Sequence, residues 1–419
     1  MQRRPELKFP KGFLWGVSSS AHQIEGNTHN QWSVWELENA KSLAAQSSYQ
    51  YDDLESWSRV KNAAKSAHNY VSGVGANHYE LYEQDIAIAK KMHMNAWRFS
   101  IEWSRIQPQE GGWNAEAIGH YKAYLSFLRL HGLEPVVALF HFTLPVWFAE
   151  KGGFEKRANV KYFIEYVDRL IDELGGEMKL IITINEPVVY ATQGYMEGRW
   201  PPQKVNKRLA LIVLQNLAFA HNKIATILHQ KSRRFKVSIA SNSSFVYAGD
   251  TAWLSERSAT HMQYWRDEFF LNKVYKTCDF IGVNYYFSER VYGYRVHNPD
   301  HALSDIGWNM EPAHIQFVLE RLHDKYKKPL LVCENGVADE QDSHRQWWIM
   351  QTIMAMQRAI NGGVPLLGYL HWSLTDNFEW DKGFWPRFGL LKIDYSTGER
   401  TLRPSALWFG RVIKKLRGL

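Results

Sequence analysis

The stretch Lys179–Ile184 (KLIITI), followed at once by Asn185-Glu186-Pro187, decides how this chain is read. Past Lys179 it is a run of Leu, Ile and Thr with no polar alternation. That pattern describes a strand buried on both faces, as parallel strands are when helices cover them. The run ends on a carboxylate. Pro329–Cys333 (PLLVC) repeats the pattern and leads into Glu334-Asn335-Gly336. An acid at the carboxyl end of a buried strand does nothing for packing. In a (β/α)₈ barrel, however, that end of the strands carries the reactive groups.

Working outward from these two strands, Leu180–Asn185 and Leu330–Cys333, similar runs occur at Phe13–Ser18, Asn95–Ser100, Pro135–Phe140, Lys236–Ala240, Phe280–Asn284 and Leu366–Trp372. Between them apolar residues recur at helical spacing in Tyr79–Met92, Ala115–Leu130, Val160–Leu174, Leu209–His229, His314–Tyr326 and Gln346–Ile360, and Pro404–Leu416 closes the last unit. Eight strands alternating with helices define the expected fold class: α/β, a single (β/α)₈ TIM barrel with long βα loops, running over residues 1–419 with no dividing linker. Ser42–Gly75, rich in Ala, Ser, Asn and Gln, is expected to be a long loop with some helix. Ser241–Cys278 gives no clear helix positions.

Composition narrows the function. The 419 residues include 14% aromatics, with 18 Trp, whose broad apolar face and single N–H donor suit stacking on sugar rings. The net charge of +7 comes from Lys and Arg scattered among acids, without a dense basic run interleaved with aromatics, so nucleic acid is not an expected partner. Two cysteines, Cys278 and Cys333, make neither a disulfide framework nor a metal cluster. The amino terminus MQRRPELKFP is basic but lacks the apolar stretch of a signal peptide. No long apolar run suggests a membrane span, and a cytoplasmic enzyme is expected.

Two glutamates at the carboxyl ends of different strands of one barrel point to the paired carboxylates of glycoside hydrolysis. The whole span from Phe13 to about Phe409 then resembles the family 1 glycoside hydrolases, the β-glucosidase and β-galactosidase group. The resemblance rests on FLWGVSSSAHQIEG (Phe13–Gly26), MNAWRFSIEWSRI (Met94–Ile106), LFHFTLP (Leu139–Pro145), TINEP, IGVNYY (Ile281–Tyr286), CENG and HWSLTDNFEW…RFGL (His371–Leu390). It implies that Glu186 is the general acid/base and Glu334 the nucleophile. Arg98 and Tyr286 would stabilise the charge of Glu334, and Asn284 would support its surroundings. In a retaining enzyme the two carboxyl groups should lie about 5–5.5 Å apart. Gln23, His141, Asn185, Glu379 and Trp380 match positions that hold the sugar, with Trp372 as an apolar floor beneath it. A pyranose presents hydroxyls that both donate and accept, so amide, imidazole and carboxylate groups are what such a pocket needs. Glu379 would repel a phosphate, which favours a neutral sugar. The expected substrates are small-molecule β-glycosides or short oligosaccharides, with no metal or organic cofactor.

The chain departs from the family pattern in places. His141-Phe142-Thr143 stands where His-Trp-Asp is common, which keeps an apolar wall and loses an indole donor. Cys333 replaces a usual Thr and is expected to be a small packing residue. The segment between strands 5 and 6 is short, so a more open flank is expected there. Trp308 is the candidate to stack on the leaving group, with Trp200, Tyr195 and Phe245 as weaker candidates.

Overall fold

The computed structural model describes residues 7–298 and 302–419, so the basic stretch Met1–Glu6 lies outside the described residues. Eight parallel strands close into a barrel in chain order: β1 (Leu14–Ser18), β2 (Ala96–Ser100), β3 (Glu134–Ala138), β4 (Leu180–Asn185), β5 (Lys236–Asn242), β6 (Ile281–Tyr285), β7 (Leu330–Asn335) and β8 (Leu366–Trp372), with β8 pairing back onto β1. Every residue of β2, β4, β6 and β7 is buried, as expected of strands packed on both faces.

The interior of the barrel is a small cluster that includes Ala96, Val136, Leu180, Ile182, Phe280, Leu331, Cys333 and Leu370. The larger core lies between the strands and the outer helices. Those helices are α1 (His78–Lys91), α2 (Ala115–Leu130), α3 (Val160–Leu174), α4 (Lys207–Lys231), α5 (Trp253–Gln263, continued by a π-helical turn at Tyr264–Glu268 into Phe269–Val274), α6 (Ile315–Tyr326), α7 (Arg345–Asn361) and α8 (Pro404–Leu416). In α3, Val160, Phe163, Tyr166, Val167, Leu170, Ile171 and Leu174 make one buried stripe at helical spacing. Asn114 and Asn206 cap α2 and α4 by accepting from backbone N–H groups three residues on. By length and composition α4 reaches the hydropathy of a membrane span, but Val213, Leu217, Ile224 and Leu228 are buried in the layer around the barrel.

Two stretches differ from expectation. Ser42–Gly75 is mostly ordered helix: it holds the second half of Gln31–Tyr51, then Trp57–Ala64 and a 3₁₀ turn at Ala67–Tyr70. The long helix is anchored by the Asn30 capping box and by buried Trp32 and Trp35, upstream of the Ala/Ser/Gln-rich part. In Ser241–Cys278, Phe245–Ala248 forms a strand beside Ser288–Tyr292 before α5 begins.

Candidate active site

The carboxyl ends of the barrel strands surround a cavity of about 220 Å³. Gln23, His141, Asn185, Glu186, Tyr286, Trp308, Glu334, Trp372, Glu379 and Trp380 all line it. Arg98, fully buried on β2, and Asn284 on β6 lie directly beneath through hydrogen bonds to lining residues. All twelve sequence-chosen residues therefore meet in one place.

Local backbone departures aim the two glutamates. Along β4 the register against β5 passes from Ile182↔Ser238 to Asn185↔Ala240, so β4 carries one extra residue just before Glu186. Along β7 it passes from Val332↔Val283 to Glu334↔Asn284, again one extra residue. Such bulges re-aim side chains at strand ends. Glu186 itself takes the left-handed conformation, with φ 42° and ψ 60°, and begins the short helix Pro187–Ala191.

The two carboxylates have unlike surroundings. Arg98 Nη1 donates to Glu334 Oε1, and the Tyr286 hydroxyl donates to Oε2 at 2.7 Å. Glu186 has no cation in contact: its Oε1 accepts from Asn284 Nδ2 at 2.7 Å and from Asn242 Nδ2 at 3.3 Å. Burial, together with the charge of Glu334, pushes its pKa up to about 8. Asn284 was expected beside the nucleophile candidate; its amide instead serves Glu186 and, at 3.1 Å, Asn185. β6 lies between β5 and β7, and the amide turns toward the β4 side.

Asn185 is held on every side. Its Oδ1 accepts from Arg98 Nη2 at 2.6 Å and from Asn284, which leaves Nδ2 to donate to His141 Nε2 at 3.0 Å. The His141 proton is then on Nδ1, a buried atom with no protein partner. Burial, with Arg98 nearby, holds His141 well below the usual imidazole range, so the ring is neutral. Gln23 accepts from the Ser20 hydroxyl at 2.7 Å and donates to the Phe378 carbonyl at 2.8 Å, facing Glu379. Burial raises Glu379 to about 7, against the opposing pull of Lys382.

Aromatic rings close the walls. Trp380 stacks on His22 and packs against Trp32, Trp200 and Phe142, while Trp308 contacts Tyr286, Phe287 and Phe388. Trp200 reaches the cavity, and Phe142 fills its expected place as apolar wall. Tyr195 does not line the cavity and belongs to a neighbouring one; Phe245 lies on the surface groove beside α5. Asn242, Arg199, Arg266 and Lys382 line the cavity without having been singled out in the sequence. For Asn242 a signal existed: β5 runs two residues past Ala240, ending polar as β4 does. On the flank expected to be open, Arg266 lies over Phe287 and binds Glu289. Cys333 is sealed in the barrel interior, where burial raises its thiol to about 12. Among the described residues no group of three or more His, Cys, Asp or Glu is placed to hold a metal ion.

Comparison with known proteins bears on the family and the fold. The family described as "Glycosyl hydrolase family 1" matches residues 6–278 and 272–417. The chain belongs to glycosyl hydrolase family 1. A family 1 relative, Beta-glucosidase A of Thermotoga maritima, is 28% identical over 97% of this chain and 98% of its own length. The solved structure of a beta-glycosidase from Pyrococcus horikoshii superposes with a TM-score of 0.85 at 33% identity, covering 99% of this chain and 98% of that one. A galactolipid galactosyltransferase of Arabidopsis thaliana is 31% identical over 79% of this chain and 57% of its own length. The chain is thus a family 1 β-glycosidase.

Proposed function

We propose that the enzyme hydrolyses terminal non-reducing β-D-glycosidic bonds with retention, through a covalent glycosyl-enzyme, with β-D-glucosides as the preferred substrates and β-D-galactosides or fucosides as alternatives. The observation that carries this reading is the unlike surroundings of the two carboxylates. Glu334, held by Arg98 and Tyr286, attacks the anomeric carbon. Glu186, raised to about 8 by burial and by the charge of Glu334, keeps a proton at neutral pH and gives it to the departing oxygen. That oxygen leaves with the electron pair of the broken C1–O bond. Glu186, now ionised, then takes a proton from the water that attacks C1 and frees Glu334.

Gln23, His141, Asn185 and Glu379 would hold the sugar hydroxyls, with Nδ1–H of His141 left free as a donor, and Trp372 would lie under the ring. Trp308, with Phe287 and Phe388, makes the apolar side where an aglycone would rest. The beta-glucosidase relative supports glucose as glycone. The galactosyltransferase relative favours one second reading, transfer of the glycosyl group to an acceptor other than water.

The test is release of 4-nitrophenol from its β-D-glucoside, galactoside, fucoside and mannoside, beside Glu334→Gln, with product analysis in the presence of an added alcohol. Turnover that vanishes in the variant supports the reading, and the substrates rank the glycone. Turnover that survives in the variant overturns the assignment of Glu334, and alcohol-derived glycosides as the main product overturn hydrolysis.

A further inference from the structure

Strict alternation along β7 does not bring Glu334 to the cavity. Leu331 and Cys333 both face the barrel interior, so a period of two puts Glu334 outward and Asn335 inward. The extra residue between Val332 and Glu334 reverses this. Glu334 opens on the cavity, and Asn335 turns to the helix layer.

There Asn335 is tied on every side. Its Oδ1 accepts from Trp348 Nε1 at 2.9 Å and from the Thr352 hydroxyl at 3.3 Å, both on α7, and from the Tyr369 hydroxyl on β8 at 3.1 Å. Its Nδ2 donates to the Tyr285 carbonyl on β6 at 2.7 Å. Asn335, Trp348, Thr352 and Tyr369 are all fully buried. One amide therefore joins β7 to both neighbouring strands and to the helix that follows it. Apolar packing around a strand end tolerates a shift that directional hydrogen bonds do not. Moving β7 by one residue would leave these buried donors and acceptors unpaired, each at a cost of desolvation. β4 has a counterpart: Thr183 Oγ1 meets His221 Nδ1 on α4 at 2.6 Å and the Ser238 carbonyl on β5 at 3.2 Å, within the stretch where β4 gains its extra residue.

We propose that Asn335 is a positioning residue: its ties to Trp348, Thr352, Tyr369 and Tyr285 fix the bulge in β7 and so hold Glu334 where it can attack the anomeric carbon. The inference rests on the glycosidase reading above. A misplacement of about 1 Å at a reacting group costs on the order of 100-fold in rate.

The experiment follows the attack alone. A 2,4-dinitrophenyl 2-deoxy-2-fluoro-β-glycoside, with the glycone that the parent enzyme turns over fastest, lets a carboxylate oxygen of Glu334 bond to C1 while dinitrophenolate leaves with the electron pair. The fluorine slows the second step, so the amplitude counts competent sites and the first-order rate constant reports the attack. Asn335→Leu is expected to keep an amplitude of about one label per chain with a rate constant on the order of 100-fold lower. Its kcat should fall far more than KM changes. Tyr369→Phe, which removes one hydroxyl at nearly constant volume, should shift the rate constant the same way by less. A purely structural role lowers the amplitude and the melting temperature and leaves the rate constant of the labelled fraction intact. Rate constants within twofold of the parent in both variants overturn the inference. If Asn335→Leu does not fold, Tyr369→Phe decides alone. A parent enzyme that takes no label overturns the glycosidase reading itself, and this inference with it.

Discussion

At the scale of single residues, two side chains of the same type do different work because one is desolvated without a cation and the other is bound by one. Replacing Glu334 by Gln removes the proposed nucleophile and should lower kcat by more than about 10⁴-fold with the fold intact. Replacing Glu186 by Gln should cost about 10²- to 10⁴-fold on alkyl glycosides, whose leaving groups need a proton, and much less on 2,4-dinitrophenyl glycosides. Equal losses on both substrates would refute the proton-donor role. The raised pKa of Glu186 also fixes two pH dependences. In kcat/KM, activity should fall as pH rises through about 8, and Glu186→Gln should lose that limb. In stability, the native chain keeps a proton between the ordinary 4.5 and about 8 that the unfolded chain has released. Stability therefore falls as pH rises through that window, and the melting temperature of Glu186→Gln should gain on the parent from pH 5 to pH 8. The types of these residues were legible because a carboxylate after a buried strand has no packing role. The partner of Asn284 was not: on a strand between two others, only the packed structure decides which neighbour the amide meets.

At the scale of elements, most boundaries follow from local chemistry. Ala115–Leu130, Val160–Leu174 and Pro404–Leu416 begin and end where periodicity, an Asn cap or a first-turn Pro places them. Asn206→Ala should remove the cap of α4 and cost about 1 kcal/mol, read as a lower urea midpoint, with kcat unchanged. The reading of Ser42–Gly75 as mainly loop failed for a physical reason. Its Ala, Ser and Gln carry little amphipathic signal, and the helix they extend is fixed by Asn30, Trp32 and Trp35 outside that stretch. Further along the same excursion, Arg59 binds Asp305 at 2.6 Å and Ser56 donates to the Asp305 carbonyl, which ties it to the loop that presents Trp308.

At the scale of the whole molecule, the last unit is fastened to the rest by a buried pair. Arg403, which precedes α8, donates to both oxygens of Asp376 after β8, at 2.9 and 3.0 Å, and to the Gly389 carbonyl at 2.7 Å. Arg403→Met should cost about 3–5 kcal/mol, because it leaves a buried carboxylate short of its main partner. The melting temperature of Arg403→Met should fall well below that of Asn206→Ala. The alternation of apolar runs and helical periods determined a parallel sheet covered by helices, and the count of eight such units made it a closed barrel. It also determined which end would hold the reactive residues, because Glu186 and Glu334 follow the apolar runs rather than precede them. The tertiary structure alone decided how those residues face one another. Period-two alternation from Leu331 and Cys333 points Glu334 out of the cavity, and it enters only because β7 gains a residue against β6. That register is set by contacts of Asn335 with groups on β6, β8 and α7, which have no local trace in the sequence around Glu334.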